Sequence, residues 1–327
     1  MTPKKFWVIS EQQKLLAELV NGVKALVQGE VLINAVAVGN LQAAEAALAA
    51  GAHHVFMYRL DGRVQVEGCY RRLAQLIKET GGDLVLVGAT KRGKTLAALL
   101  AAELESGLAT EVTVLDWSGD LITTQRFVFG GLAVSTDTFV SGIPIVTIPP
   151  RMWESPAIPA TAGPGDSRTP LNGELVEISG EEGPVRVLEQ RPRQSGAVNL
   201  DDAQVVICIG RGVKKREDLV MFEELAGLLE GVLACTRPVA EEEGYRWFSE
   251  DSYIGISGRK VKPRLYLSIG SSGQIQHVVG CRDAGIILGI DKNEDAPIFE
   301  ASDYGIVGDL YQVVPELIKR IREIKSR

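Results

Sequence analysis

The sequence predicts an α/β protein of two domains, each a mainly parallel sheet flanked by helices. Short apolar runs alternate with stretches of helical period along most of the chain. A length of 327 residues suits two domains, at about 150 residues each. Glycine, at 35 residues against 6% aromatics, supplies strand-to-helix turns where backbone must pass close to backbone or to a phosphate.

The first half carries the apolar runs FWVIS (6–10), VLINAVAV (31–38), HVFMY (54–58), DLVLVG (83–88) and VTVLDW (112–117). Amphipathic stretches around 12–28, 41–50, 67–80 and 95–106 separate them. This βαβα alternation predicts a parallel sheet covered by helices. After Asp120 the strand-like pieces LITTQRFVFGG, LAVSTDTFV and PIVTIPP are expected to extend the same sheet. Residues 149–173, dense in Pro, Gly, Ser and Thr, read as a surface loop or arm. ELVEIS (174–179) and VRVLEQR (185–191) read as two further strands. The polar stretch 192–203 then places the domain boundary near residue 196, giving domains 1–195 and 196–327.

The second domain starts with the strand QVVICIG (204–210), the turn Arg211-Gly212 and a helix over 216–230. Further strands are expected at VLACT (232–236), RLYLSIG (264–270), GIILGI (285–290) and YGIVG (304–308), with helices near 273–283 and 309–325. Several of these strands end in Gly, Ser, Arg or Asp. Ligands of open α/β sheets sit outside the carboxyl ends of strands, so those ends are where a site is expected.

Charge and composition exclude several classes. The chain has 35 Lys+Arg against 42 Asp+Glu, net −7, which lacks the basic footprint of a nucleic-acid binder. No apolar run reaches the roughly 18 residues of a membrane span, and MTPKKFWVIS enters a strand pattern without a signal-peptide core. A cytoplasmic location is expected. Cys69, Cys208, Cys235 and Cys281 form no C-x-x-C, and His53, His54 and His277 are too scattered for a metal site. Buried free thiols are expected. No nucleophile with a base and an orienting acid stands out.

Two stretches compete as nucleotide sites. Gly88-Ala-Thr-Lys-Arg-Gly93-Lys94-Thr95 matches G-x-x-x-x-G-K-S/T between an apolar strand and an alanine-rich helix. There the amides would cradle phosphates, Lys94 would neutralise them and Thr95 would hold magnesium, with Asp116 as a metal-orienting residue. Against that reading, the strand is the fourth in the chain and Asp116 follows closely. The alternative is a plain tight turn. In the second domain, PRLYLSIGSSGQIQH (263–277) runs from a strand through a Gly-Ser turn into a helix. Its amides and the hydroxyls of Ser271 and Ser272 form an anion cradle suited to a pyrophosphate.

The second stretch resembles the α subunit of electron transfer flavoprotein. That family's signature reads P-x-L-Y-x-A-x-G-I-S-G-A-I-Q-H, then I-N-K-D, A-P-I-F and D-Y-G-I-V-x-D-L. Here it stands as PRLYLSIGSSGQIQH, IDKN (290–293), Ala296-Pro-Ile-Phe299 and Asp303-Tyr-Gly-Ile-Val-Gly-Asp-Leu310. The match runs over residues 263–310 and continues upstream through Gly210-Arg211-Gly212 and Cys235-Thr236-Arg237-Pro238. The connection RPVAEEEGYRW (237–247) looks most like the bacterial branch associated with nitrogen fixation and carnitine metabolism. The family commonly carries G-A-T-x-x-G-K in its first domain and binds no ATP there, which marks Gly88–Thr95 as a chance match and leaves a P-loop ATP-binding protein only as the alternative.

The resemblance implies a Rossmann-like C-terminal domain that binds FAD, in a chain that carries electrons without turning over a substrate of its own. It places Arg237 against the isoalloxazine ring and His277 at the ring's carbonyl edge, both favouring the anionic reduced flavin. Ser257 and Thr236 supply hydroxyls to the ring, within a binding turn that includes Ile254, Gly255 and Ile256. Ser272, Gly273, Gln274, Ile275 and Gln276 serve the ribityl chain and pyrophosphate, Arg211 neutralises a phosphate, and Asp309 with Leu310 holds the adenosine end. Two departures stand out. The family's Q-T-G becomes Ile256-Ser257-Gly258, losing a polar side chain near the ring, and I-N-K-D becomes Ile290-Asp291-Lys292-Asn293, putting the Asp291 carboxylate where an amide is usual. The family also implies a β subunit as partner in a heterodimer, a dehydrogenase as electron donor and a quinone-linked or other redox acceptor.

Overall fold

The computed structural model describes residues 3–27, 29–39, 41–59, 65–119, 121–153, 174–179, 187–189, 200 and 203–326. The chain divides into two compact units, Met1–Arg191 and Pro192–Arg327. The expected boundary near 196 and the arm from 154 to 173 lie outside the described residues.

In the first unit the order is β1 (Lys4–Ser10), α1 (Gln13–Leu26), β2 (Val31–Val38), α2 (Leu41–Ala49), β3 (His54–Arg59), α3 (Tyr70–Thr80), β4 (Leu84–Gly88) and α4 (Lys91–Glu103). Then come β5 (Leu108–Ala109), β6 (Val114–Ser118), β7 (Leu121–Val128), β8 (Ala133–Thr138), β9 (Ile145–Ile148) and β10 (Glu174–Ser179). Seven strands form one sheet in the order β10-β3-β2-β1-β4-β9-β5, every pairing parallel. The near-continuous apolar runs are what such a sheet requires, because helices cover both faces. Along β1, Phe6 and Val8 join one core with α1 and α2, while Trp7 and Ile9 join another with α3 and α4.

Two expectations are corrected here. The run at 112–117 and the two pieces after it do not extend the parallel sheet. Instead β6, β7 and β8 form a separate antiparallel sheet of three strands. The reason is visible in β6, which alternates exposed Val114, Asp116 and Ser118 with half-buried Leu115 and Trp117. A strand with one wet face cannot sit inside a sheet covered on both sides. The fully buried β9 does join the main sheet, between β4 and β5. Of the strand expected at 185–191, the described residues 187–189 are not strand, and Leu188 is 97% exposed.

The second unit runs β11 (Val205–Ile209), α5 (Leu219–Leu228), β12 (Val232–Thr236), α6 (Arg237–Glu241), β13 (Tyr253–Ile254), β14 (Leu265–Ile269), α7 (Ile275–Val278), β15 (Ile286–Asp291), β16 (Tyr304–Val307) and α8 (Leu310–Lys325). Its six strands are all parallel, ordered β13-β12-β11-β14-β15-β16. Counted within the domain this is 3-2-1-4-5-6, the doubly wound order of dinucleotide-binding folds. On one face Ile207, Ile209, Leu267 and Ile269 pack with Phe222 of α5 and Val314 of α8; on the other lie Val206, Cys208, Tyr266 and Cys281. α7 is shorter than the expected 273–283. After Val278 the chain turns at Gly280, where a Cβ would lie 2.4 Å from the nitrogen of Gly255.

Candidate functional site

In a doubly wound sheet the crevice opens where the strand order reverses, which here is between β11 and β14. The two chains leaving those strands cross almost in contact. The Gly210 amide donates to the Ile269 carbonyl (2.9 Å), Gly212 to Gly270 (2.9 Å) and Gly270 to Ile290 (2.8 Å). A Cβ on Gly210 would stand 2.3 Å from the Gly270 oxygen, and Gly270 has φ +62. Only residues without a side chain fit there, and the bare backbone is left facing the crevice.

The crevice is a cavity of about 630 Å³ walled by the strand ends, within the roughly 300–1,000 Å³ of small-molecule sites. β11 contributes Arg211, β12 Thr236 and Arg237, and β13 the turn Ile254-Gly255-Ile256-Ser257. The segment after β14 adds Ser272, Gln274, Gln276 and His277, β15 adds Asp291, and the start of α8 adds Asp309 and Leu310. Fourteen of the sixteen residues expected from the sequence are therefore brought to one cavity. The other two stand apart from this lining: Gly273 packs on Ile298, where a Cβ would lie 2.4 Å from its Cα, and Ile275 is 43% exposed.

Local hydrogen bonds set this wall. The Ile256 amide donates to the Gln276 carbonyl (2.7 Å), tying the β13 turn to α7. The Tyr253 hydroxyl donates to the Ser257 carbonyl (3.0 Å), which fixes the Ser257 side of the turn. Asp309 caps α8 by accepting from the Tyr311 amide (2.9 Å), and Asp291 accepts from the Asn293 amide (2.9 Å). Both carboxylates thus hold their own turns while lining the cavity. Lys214, Tyr253 and Tyr311 also line it and were not singled out by sequence. Lys214 bonds the Arg211 carbonyl through Nζ (3.0 Å), and the Tyr311 hydroxyl donates to Asp218 (2.6 Å) while accepting from the Lys214 amide (2.9 Å).

His277 lines the cavity but is largely buried, and both of its ring nitrogens are within hydrogen-bond reach of protein groups. Nδ1 lies 3.2 Å from the Ile254 carbonyl and Nε2 lies 3.1 Å from the Tyr266 hydroxyl. A carbonyl only accepts, so Nδ1 carries the proton and Nε2 accepts from Tyr266. Burial holds its pKa below the usual imidazole range, against the opposing pull of the Ile254 carbonyl. The ring is neutral.

The cavity is rich in cations, with Arg211, Lys214, Arg237 and Lys292 on its wall. Arg237 donates through Nε to Glu241 (2.6 Å), and Arg211 lies 3.5 Å from Glu242. The hydrogen bond and charge of Glu241 raise the Arg237 pKa. Ser271, 6% exposed, backs the Gly-Ser turn.

The P-loop-like turn is built differently. Its amides are spent inside the protein: Ala89 on Ile148 (2.8 Å), Thr90 on Gly88 (2.8 Å), Gly93 on the Thr90 hydroxyl (2.8 Å) and Lys94 on the Thr90 carbonyl (2.9 Å). Lys94 pairs with Glu111 at 3.0 Å, and the Thr95 hydroxyl donates to the Lys91 carbonyl. A phosphate cradle needs those amides free. Nothing supports ATP binding there.

All four cysteines are buried free thiols. Burial pushes Cys69, Cys235 and Cys281 up to about 12. Among the described residues no cluster of His, Cys, Asp and Glu could hold a metal ion, and no helix is long and apolar enough to cross a membrane.

Comparison with known proteins agrees with this geometry. Residues 199–282 match the family model of the electron transfer flavoprotein FAD-binding domain, and residues 7–168 match the electron transfer flavoprotein domain. The chain is 35% identical over 322 residues to the protein FixB of Escherichia coli O157:H7, covering 97% of each chain. FixB of Shigella flexneri is similar to the same extent, 35% over 322 residues and 97% of each chain.

Proposed function

Because the chain belongs to the electron transfer flavoprotein α-subunit family, we propose that the cavity between β11 and β14 is where it holds FAD, and that it works as one half of a heterodimer. FAD is the cofactor of this family's C-terminal domain, and when bound it supplies reversible acceptance of electrons. The protein is an electron carrier. One observation carries the placement: the glycine crossing at the reversal of strand order opens a cation-rich cavity of about 630 Å³ inside the matched FAD-binding domain.

The residues present fit a dinucleotide. The missing side chains at Gly210, Gly212 and Gly270 keep that stretch of the cavity wall low, so a pyrophosphate can come close to it, and Arg211 and Lys214 supply the neutralising charge. Asp309, Leu310 and Tyr311, at the start of α8, serve the adenosine end. Arg237, Thr236 and Ser257 face the other end, where a fixed cation and two hydroxyls favour added negative charge on the ring. His277 acts from behind. Its Nδ1–H orients the Ile254 carbonyl, and so the turn that carries Ser257.

A β subunit is the partner we expect, with a dehydrogenase as donor and a quinone-linked or other redox protein as acceptor. The test is to purify the full-length protein with a co-expressed β subunit and record the visible spectrum. A flavin spectrum that is lost from the double variant Arg211→Ala/Arg237→Ala is the expected result. Absence of flavin from the wild-type complex after reconstitution with FAD would overturn the proposal.

A further inference from the structure

Two arginines on the cavity wall are tied to neighbouring carboxylates of one short segment. Arg237, leaving β12, is gripped by Glu241 at the end of α6, and Arg211, leaving β11, lies against Glu242. The two contacts differ in kind. Glu241 accepts from Nε at 2.6 Å within one helical turn, whereas Glu242 stands 3.5 Å from Nη1 across the chain. Nε is the guanidinium atom nearest the stem, so the Glu241 contact fixes the direction of the side chain as well as offsetting its charge. Glu241 is also the less exposed of the two, at 32% against 47%.

The consequences differ because the two ends of FAD differ. The pyrophosphate keeps its charge whether the flavin is oxidised or reduced, so a group acting on Arg211 alters binding of both forms alike. The isoalloxazine ring gains negative charge on reduction, so a group acting on Arg237 alters the two forms unequally. Resting on the FAD reading above, we propose that Glu241 is a positioning residue for electron transfer: by aiming Arg237 and offsetting its charge, it sets how strongly the site prefers reduced over oxidised flavin. Glu242 has no such effect.

The ratio of the two affinities is the reduction potential in another form, and a tenfold change in it is about 30 mV for a two-electron couple. An ion pair this exposed is screened, so its removal changes the ratio by roughly 1.5-fold to fivefold. The experiment is a spectroelectrochemical titration of the FAD-loaded complex, with FAD dissociation constants measured alongside. E241Q is expected to raise the midpoint potential. E241D, one methylene short, moves it the same way by less. E242Q changes the dissociation constant and leaves the potential in place. In an R237Q background the E241Q shift disappears.

An unmoved potential in E241Q would overturn the inference, as would an equal shift in the R237Q background, which would mean that Glu241 acts directly on the ring. A potential shift in E242Q as large as that in E241Q would also count against it. Should E241Q not retain flavin, E241D decides the matter, and an unmoved potential there is a refutation. A wild-type complex without flavin would instead bring down the FAD reading itself, and the inference with it.

Discussion

Gly210→Ala tests whether the crossing of the two chains is what makes the site. The added Cβ would meet the Gly270 oxygen at 2.3 Å, the Ser271 Cα at 2.6 Å and the Gly270 carbon at 2.8 Å. All three are backbone atoms, so no side chain can swing away. Reaching ordinary contact at 3.4 Å means parting the chains by roughly 1 Å, at about 1–3 kcal/mol for overpacking. The bonds from Gly210 to Ile269 and from Gly212 to Gly270 lie in the parted region, and straining them adds about 1 kcal/mol each. A loss of about 3–5 kcal/mol should lower the melting temperature of a domain this size by on the order of 10–20 °C. FAD affinity should fall further, because the cradle is the part displaced. Thermal denaturation by circular dichroism and FAD titration by flavin fluorescence measure both. A variant melting with the wild type and binding FAD equally would refute the crossing as the determinant.

Other positions give contrasting outcomes. Gly227 lies within α5 with nothing within 4 Å of its would-be Cβ, so Gly227→Ala should stabilise by about 0.5–1 kcal/mol, read from the same melts. Lys94→Ala breaks only the half-exposed pair with Glu111, so it should cost under about 1 kcal/mol, and calorimetry should show no magnesium-ATP binding in either protein. Burial holds His53 and His277 below the ordinary imidazole range, so the unfolded chain takes up protons that the folded one refuses. Their stability contribution is complete above about pH 6.5 and falls as pH drops below it; a urea-denaturation series from pH 7.5 to 5 should show that fall, reduced in His277→Gln. Glu18 is buried and accepts from the Arg151 and Trp153 amides at 2.9 and 3.1 Å, so Glu18→Ala should cost about 2–4 kcal/mol by leaving both donors unmet, measured by urea denaturation.

Strands buried on both faces announce themselves in sequence, because each must be apolar throughout. β2 was legible to the residue for that reason, as were β4, β11 and β14 within a residue or so. β6 was legible as a strand but not as a member of the right sheet. Its alternation of Leu115 and Trp117 with solvent-facing residues carries that information, yet the apolar Val114 on its wet face and the apolar Val112 just before it mask the period. β13, two residues long, is below the length at which any period exists.

The site divides along the same physical line. Residues whose job depends on backbone shape are legible, since few side chains allow that shape: Gly210, Gly212 and Gly270 stand at the crossing because anything larger collides. Residues whose job depends on a partner distant in sequence are not. The P-loop-like turn shows the reverse error, since its spacing is met while its amides are committed to Gly88, Thr90 and Ile148. Tyr311 reaches Asp218 across 93 positions, and the Ile254 carbonyl on β13 sets the tautomer of His277 across 23. Glu241 is the intermediate case: it lies four residues from Arg237 on one helical face, where such pairs form, but a run of three glutamates hides which of them is used. The charge that tunes a cofactor site can therefore be one its sequence motif does not contain.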